Sequence, residues 1–145
     1  MSTPSLTDTL SRGYTGIAAE RARITFGVVL GAILIVEAAA ALALLIEPRN
    51  LAYLLGFDAT GALPLVRLAG LLLLLNLLFL ALGRPAPART KLINLLGIVE
   101  RGVLAVALAI LGGRLLWPAG FELIAALLIA NFYYRYFQAE VMSRP

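Results

Sequence analysis

Four long apolar stretches dominate this sequence of 145 residues. They cover about residues 24–46, 62–83, 92–112 and 118–137. Each contains the roughly 20 residues that a helix needs to cross the hydrocarbon core of a bilayer. The stretches are continuous and much longer than the ~10-residue alternating strands of a membrane β-barrel. The sequence therefore predicts an all-α integral membrane protein, an up-and-down four-helix bundle.

The composition supports this fold class. Hydrophobic residues make up 61% of the chain and charged residues 14%, against about 45–50% and about 25% in soluble proteins. A small soluble domain buries only about two-thirds of the surface that its unfolded chain exposes. Such a domain has no means of covering this much apolar surface, so a water-soluble fold is excluded.

Proline and glycine mark the connections between the predicted spans. Pro48 follows the first span, leucines at helical spacing come next, and Gly56 supplies a stop, so we predict a short interfacial helix near residues 48–56. We assign residues 1–23 to a cytoplasmic N-terminal segment that is helical from about Thr15. Residues 24–137 form the four-helix transmembrane domain, and residues 138–145 form a cytoplasmic tail.

The basic residues predict the orientation of the chain. Ten of the 12 Lys and Arg residues flank the spans, and their two groups are unequal. On one side are Arg12, Arg21, Arg23, Arg84, Arg89, Lys91, Arg135 and Arg144, whereas Arg49 and Arg114 lie on the other. Basic flanks favour the cytoplasm, so we expect a multi-pass protein with both termini cytoplasmic. The net charge of +4 is thus explained by topology and anionic lipid, and we expect no nucleic-acid partner.

Aromatic and basic residues near the span ends are typical of membrane–water interfaces. The predicted interfacial anchors are Tyr53, Trp117, Tyr133, Tyr134, Arg135 and Tyr136.

Ionisable residues inside the spans are the candidate functional site. Each costs on the order of 2.5–3.5 kcal/mol to insert, so such side chains pair rather than face lipid. The rise of a helix places four of them at similar heights in the bilayer. We predict an intramembrane polar cluster of Glu37, Arg67, Glu100 and Arg101.

Three roles for this cluster stay open. Ion pairs that fix helix order are favoured, because two carboxylates and two guanidiniums balance. The alternatives are a path for protons or substrate and a cofactor or lipid headgroup held by the arginines. Glu100 points about 100° away from Arg101 on the helix, so one of them is a candidate for contact with a partner chain. Glu122, near the end of the fourth span, is expected to reach water or Arg114.

Small and amide residues inside the spans indicate close helix contacts. The residues assigned to partner or interhelical contacts are Asn76, Asn94, Gly97 and Asn131. Asn94, Gly97 and Arg101 share one helix face. Asn76 lies opposite Arg67 on its helix, so an inward Arg67 turns Asn76 toward a neighbouring helix or another subunit. Gly27 and Gly31 add a small-xxx-small pattern in the first span.

The chain contains neither His nor Cys. It thus lacks the usual ligands for haem, iron–sulfur clusters and structural zinc, and the common nucleophile systems built on these residues. We expect no metal site, no cofactor of its own and no catalytic activity. A lipid, quinone or pigment bound at the periphery is compatible with the sequence.

One segment supports a family resemblance. Glu47-Pro48, Leu54-Leu55-Gly56-Phe57 and Arg67-Leu68-Ala69-Gly70 resemble the small four-helix proteins of the broad DoxX-like group, in which a proline-led short helix follows the first span. The resemblance implies a bacterial inner-membrane location. Some members of that group are subunits of membrane oxidoreductase complexes. The resemblance transfers no catalytic residue beyond Arg67 and Gly70 of the Arg-x-x-Gly that opens the second span.

These observations favour a non-catalytic subunit or accessory protein of a larger inner-membrane complex, respiratory or photosynthetic. Its partners would be lipids and other membrane subunits, or further copies of itself. The alternative is a small proton-coupled transporter that uses Glu37 in an oligomer. A lipid-modifying membrane enzyme is the third and least favoured hypothesis.

Overall fold

A computed structural model describes residues 6–57, 59–84, 87 and 89–143, and side chains are described from residue 16 onward except at 59 and 60. Nearly all of this part of the chain is helical. The helices are α1 (Leu6–Ile46), α2 (Pro48–Leu54), α3 (Ala59–Ala81), α4 (Lys91–Leu111) and α5 (Leu116–Ser143). Within the described residues, α1, α3, α4 and α5 are long and apolar enough to cross a membrane. The predicted fold class, an all-α four-helix membrane bundle, is confirmed.

Two helices extend beyond their predicted ends. α1 begins at Leu6 and is one helix of 41 residues, so the N-terminal segment becomes helical well before Thr15. α5 continues to Ser143, so most of the predicted tail is helical. No proline interrupts either extension, and residues such as Ala, Glu and Arg favour the helix. Residues 1–5, 144 and 145 and the Arg12 side chain lie outside the described part of the chain.

Glycines allow the two tight chain reversals at one end of the bundle. α2 covers most of the predicted interfacial helix, with Pro48 at its start. The chain leaves it through Gly56 at φ +85°, and it turns from α4 into α5 through Gly112 and Gly113 at φ +68° and +62°. Residues with a Cβ rarely adopt this left-handed region, so glycine is required there.

The helices pack in the order α3, α1, α5, α4, and contact between α3 and α4 is sparse. The main apolar core lies between α1 and α5. Its members are Phe26, Leu30, Ile33, Ala125, Ile129 and Tyr136. Large apolar side chains elsewhere remain exposed, for example Ile110 at 80% and Trp117 at 85%. The bundle therefore has a closed side around α1 and α5 and an open side between α3 and α4, both with an apolar surface suited to lipid.

Basic side chains gather at the end of the bundle opposite the glycine turns. Arg23 and Arg84 line the same surface groove, and the ammonium of Lys91 lies 5.3 Å from the centre of the Phe137 ring. We call this the basic end. It corresponds to the side that the positive-inside pattern of the sequence assigns to the cytoplasm.

α1 and α3 approach each other closely at Gly70. A Cβ added at Gly70 would lie 2.9 Å from the carbonyl oxygen of Ala41 and 2.9 Å from the Cβ of Leu44. Both atoms are fixed to the α1 backbone, so the helices would have to move apart to accept it. In lipid, such backbone approach is a main source of helix association, because no hydrophobic force drives helices together there.

We predict that Gly70→Ala lowers the free energy of unfolding by about 1–3 kcal/mol, the usual cost of overpacking. Unfolding by sodium dodecyl sulfate in mixed micelles, followed by circular dichroism, measures it. Gly102→Ala is the matched control, because an added Cβ there meets no atom of another element within 4 Å. An equal loss of stability in both variants would contradict the importance of the α1–α3 approach.

Candidate functional site

Three charged side chains from three helices meet in the interior of the bundle. Glu37 of α1, Arg101 of α4 and Glu122 of α5 are 3%, 3% and 7% exposed. Arg101 donates from Nη1 to Glu37 Oε1 and from Nη2 to Glu37 Oε2, the second at 2.8 Å. Nη1 also donates to Glu122 Oε2 at 3.0 Å. We call this set the buried triad.

The helix face of α4 places Arg101 at this position. Asn94, Gly97, Arg101 and Ala105 are the buried residues of α4, as the shared face in the sequence predicts. Arg101 is the central residue of this helix of 21 residues. Gly97, one turn before it, accommodates Leu80 of α3, whose Cδ2 occupies the space that a Cβ would fill.

The charges of the triad do not balance. Two carboxylates face one guanidinium, so the set has a formal charge of −1 when both acids are ionised. Among the described residues, Nε of Arg101 is buried without a hydrogen-bond partner. Removing one member of a buried ion pair is much more costly than exchanging the whole pair for apolar groups. The arrangement can therefore link three helices, and one proton would neutralise it.

The structure brings together only half of the predicted cluster. Glu37 and Arg101 are paired, but Arg67 and Glu100 are exposed and lie outside the triad. Arg67 follows Val66, a buried residue of α3, so it points about 100° away from the buried stripe of that helix. Glu100 likewise precedes the buried Arg101 and points about 100° away from the buried face of α4. The prediction of a four-membered cluster was wrong because similar depth does not make side chains face each other.

Glu100 instead pairs with Asn76. Asn76 Nδ2 donates to Glu100 Oε1 at 2.6 Å, on the open side of the bundle between α3 and α4. The sequence predicted an outward Asn76 on the premise that Arg67 faces inward. In the structure neither residue is among the buried residues of α3. We call Asn76 and Glu100 the outer polar pair.

Glu122 was assigned to water or Arg114, and this expectation was wrong. Glu122 belongs to a buried stripe of α5 that also contains Ala119, Ala125, Ala126 and Ile129. The alanines at helical spacing around it were the available signal for an inward face. Arg114 instead donates to the backbone oxygen of Tyr53 at 2.9 Å and tethers α2.

The other predicted contact residues have separate roles. Asn94 donates to the backbone oxygen of Gly83 and to the Thr90 hydroxyl, both at 3.4 Å, and so ties α4 to the turn before it. Asn131 is exposed on α5, and no hydrogen bond joins its side chain to another described residue.

The aromatic anchors divide into two groups. Tyr53, Trp117 and Tyr134 are exposed, and the exposed Arg135 lies over the ring of Phe132. Tyr133 and Tyr136 pack against Phe26, with ring centres 5.4 and 6.3 Å away. Tyr136 is only 4% exposed. Both tyrosines lie within the predicted fourth span on the face of α5 that meets α1, so Tyr136 joins the apolar core and Tyr133 is half-buried against it; their position at the membrane interface stays a prediction.

Comparison with known protein families, with curated proteins and with solved structures finds no match to this chain. We therefore assign the class of protein from its own sequence and structure. Its four membrane-length helices make it a multi-pass membrane protein in contact with lipid. In the described part of the chain, no group of three or more acidic, His or Cys residues is arranged to hold a metal ion.

We predict that Arg101→Leu lowers the free energy of unfolding by about 3–5 kcal/mol, because it leaves two buried carboxylates without a counter-charge. Combining it with Glu37→Leu and Glu122→Leu should restore most of this loss, since a buried ionic set exchanged for apolar groups is often neutral. Unfolding in mixed micelles is again the measurement.

Arg67→Leu is the matched control for this experiment. Arg67 is exposed and makes no ion pair with another described residue, so its replacement by an apolar residue leaves no buried carboxylate behind and should not lower the free energy of unfolding. A cost for Arg67→Leu as large as that for Arg101→Leu would show that the triad is not the main polar link.

Proposed function

We propose that this chain is a non-catalytic integral membrane subunit or accessory protein that acts by packing against partner helices and lipids. The resemblance to the DoxX-like group suggests a respiratory or photosynthetic electron-transfer complex of a bacterial inner membrane as its setting. The absence of His and Cys from the sequence is why we assign no redox chemistry to the chain itself.

The outer polar pair is the observation that carries this proposal. Glu100 is exposed near the middle of α4, and its hydrogen bond from Asn76 is 2.6 Å long. A carboxylate at that depth costs on the order of 2.5–3.5 kcal/mol when it faces lipid. A partner helix that supplies a donor or a cationic side chain would remove this cost.

The open side of the bundle is suited to such a partner. α3 and α4 touch sparsely, so a third helix has access to both of them along the line of the outer polar pair. Large apolar side chains surround the pair, among them Leu72, Leu75 and Val103, which are 56%, 55% and 65% exposed. An apolar surface with a central polar anchor is how membrane helices recognise one another.

Affinity purification of the full chain in mild detergent tests this function. We expect membrane proteins to co-purify in fixed stoichiometry, and Glu100→Leu to reduce their recovery about tenfold or more, because loss of a buried hydrogen-bonded charge weakens interfaces strongly. The amount of the chain itself in the membrane should stay near the wild-type level, since Glu100 lies outside the buried triad.

Asn131→Leu serves as the control, because it removes an exposed polar group on α5, away from the α3–α4 side. Retention of the partners in this variant would assign the interface to the outer polar pair. Purification of the chain alone, or as a homo-oligomer only, would contradict a role as a subunit.

A small proton-coupled transporter is the second candidate, and the charge of the buried triad favours it. Two carboxylates share one guanidinium between α1, α4 and α5. Uptake of one proton would neutralise the set and weaken the link between these helices. Glu37 would be the coupling group, because it accepts two of the three hydrogen bonds from the terminal nitrogens of Arg101, so its protonation would break the link between α1 and α4.

Transport in vesicles with an imposed pH gradient tests this candidate. The triad has a formal charge of −1 with both acids ionised and is neutral after uptake of one proton, so cationic and neutral small molecules are the substrates to screen. We expect Glu37→Gln to reduce gradient-driven uptake at least about tenfold, as loss of a required proton carrier does, while Glu100→Gln leaves it unchanged. Uptake no greater than in protein-free vesicles for every compound, or unaltered uptake by Glu37→Gln, would eliminate the transporter.

A further inference from the structure

An open groove of about 940 Å³ runs between α1 and α3 on the surface of the bundle, away from the buried triad. Its walls are apolar and include Val28, Leu34 and Ile35 of α1 and Leu74, Leu77 and Leu78 of α3. From Gly27 to Ala38 it follows α1 for about 16 Å by helix rise. This is close to half of the ~30 Å hydrocarbon core, the depth of one lipid leaflet.

A guanidinium lies at the end of this groove nearest the basic end. Arg84 follows α3 and folds back over α1, where its Nε donates to the backbone oxygen of Gly27 at 3.0 Å. Its Cζ lies 2.9 Å from the position that a Cβ of Gly31 would take. The absence of side chains at Gly27 and Gly31 is therefore what allows the arginine to lie against the helix.

The groove has an excess of positive charge. Arg23 also lines it, but Arg23 is paired with Glu20 through bonds of 2.8 and 2.6 Å. No ion pair joins Arg84 to a carboxylate among the described side chains. Its Nη atoms remain as donors beside an apolar channel, which is the arrangement that binds a phosphate attached to a hydrocarbon chain.

We propose that this groove binds an anionic phospholipid, with the phosphate at the Arg84 guanidinium and one acyl chain along the apolar walls. A basic pocket between transmembrane helices on the positively charged side of a bundle is suited to acidic headgroups. A partner helix fits less well, because the close approach that Gly27 and Gly31 would offer it is already taken by the Arg84 side chain.

Native mass spectrometry of the full chain in detergent tests the site, with phosphatidylglycerol and phosphatidylcholine as the added probes. We expect preferential retention of phosphatidylglycerol, and Arg84→Gln to weaken that retention about tenfold, the usual effect of losing a charged hydrogen bond. Arg89→Gln is the matched control, because it removes the same charge from the same turn at an exposed residue outside the groove. We expect retention in this control within about twofold of wild type, since only diffuse attraction is lost.

A second variant keeps the test decisive if Arg84→Gln does not fold. Gly31→Leu leaves every charge in place but fills the groove where the guanidinium and the lipid would meet, so it too should abolish the preference for phosphatidylglycerol. Thermal unfolding of each variant in detergent establishes that the bundle is intact.

Four results would overturn the site. Equal losses of phosphatidylglycerol retention in Arg84→Gln and Arg89→Gln would show that diffuse electrostatic attraction, and not a contact with Arg84, holds the lipid. Equal retention of phosphatidylglycerol and phosphatidylcholine would show that the groove does not recognise the anionic headgroup. Displacement of phosphatidylglycerol by inorganic phosphate at a similar concentration would show that the acyl chain does not contribute to binding. A photo-crosslinker at Ile35 that captures a protein rather than a lipid would make a partner helix the occupant.

Discussion

The ionic contact of Arg101 with Glu37 and Glu122 is the interaction on which the order of the helices depends. Apolar side chains find lipid as favourable a neighbour as another helix, so leucine-rich surfaces alone do not select partners in a bilayer. A buried guanidinium does select its partner helices, because an unpaired charge inside the bilayer costs too much free energy. Arg101 connects α4 to both α1 and α5, and it holds these helices at one level near the middle of the bundle.

Close packing completes what the triad begins. Gly70 brings α3 against the backbone of α1, and Phe26 with Tyr136 fills the space between α1 and α5 nearer the basic end. The result is a bundle with one closed side and one open side. Two polar features of the membrane-facing surface, the outer polar pair and the Arg84 groove, lie along α3, the long helix that takes no part in the triad.

The sequence predicted the height of each charged residue along its helix better than the direction in which its side chain points. Helix rise placed Glu37 and Arg101 close enough to pair, and the spacing of Asn94, Gly97 and Arg101 identified the buried face of α4 correctly. Arg67 was expected to join them and does not, because its direction depends on which side of α3 meets α1. Glu122 was missed for the same reason, since a carboxylate near a span end is compatible with water until the rotation of α5 is known.

Hydrophobicity and length alone determined that this chain crosses a membrane four times, because a bilayer requires every span to be a long apolar helix with its backbone hydrogen bonds satisfied internally. Proline and glycine likewise determined where the chain turns. Only the tertiary structure decided which charges meet, which aromatic rings are buried and where the bundle stays open. Those features depend on the rotation and neighbours of each helix, and in a sequence that is apolar on nearly every face the periodicity leaves that rotation undetermined.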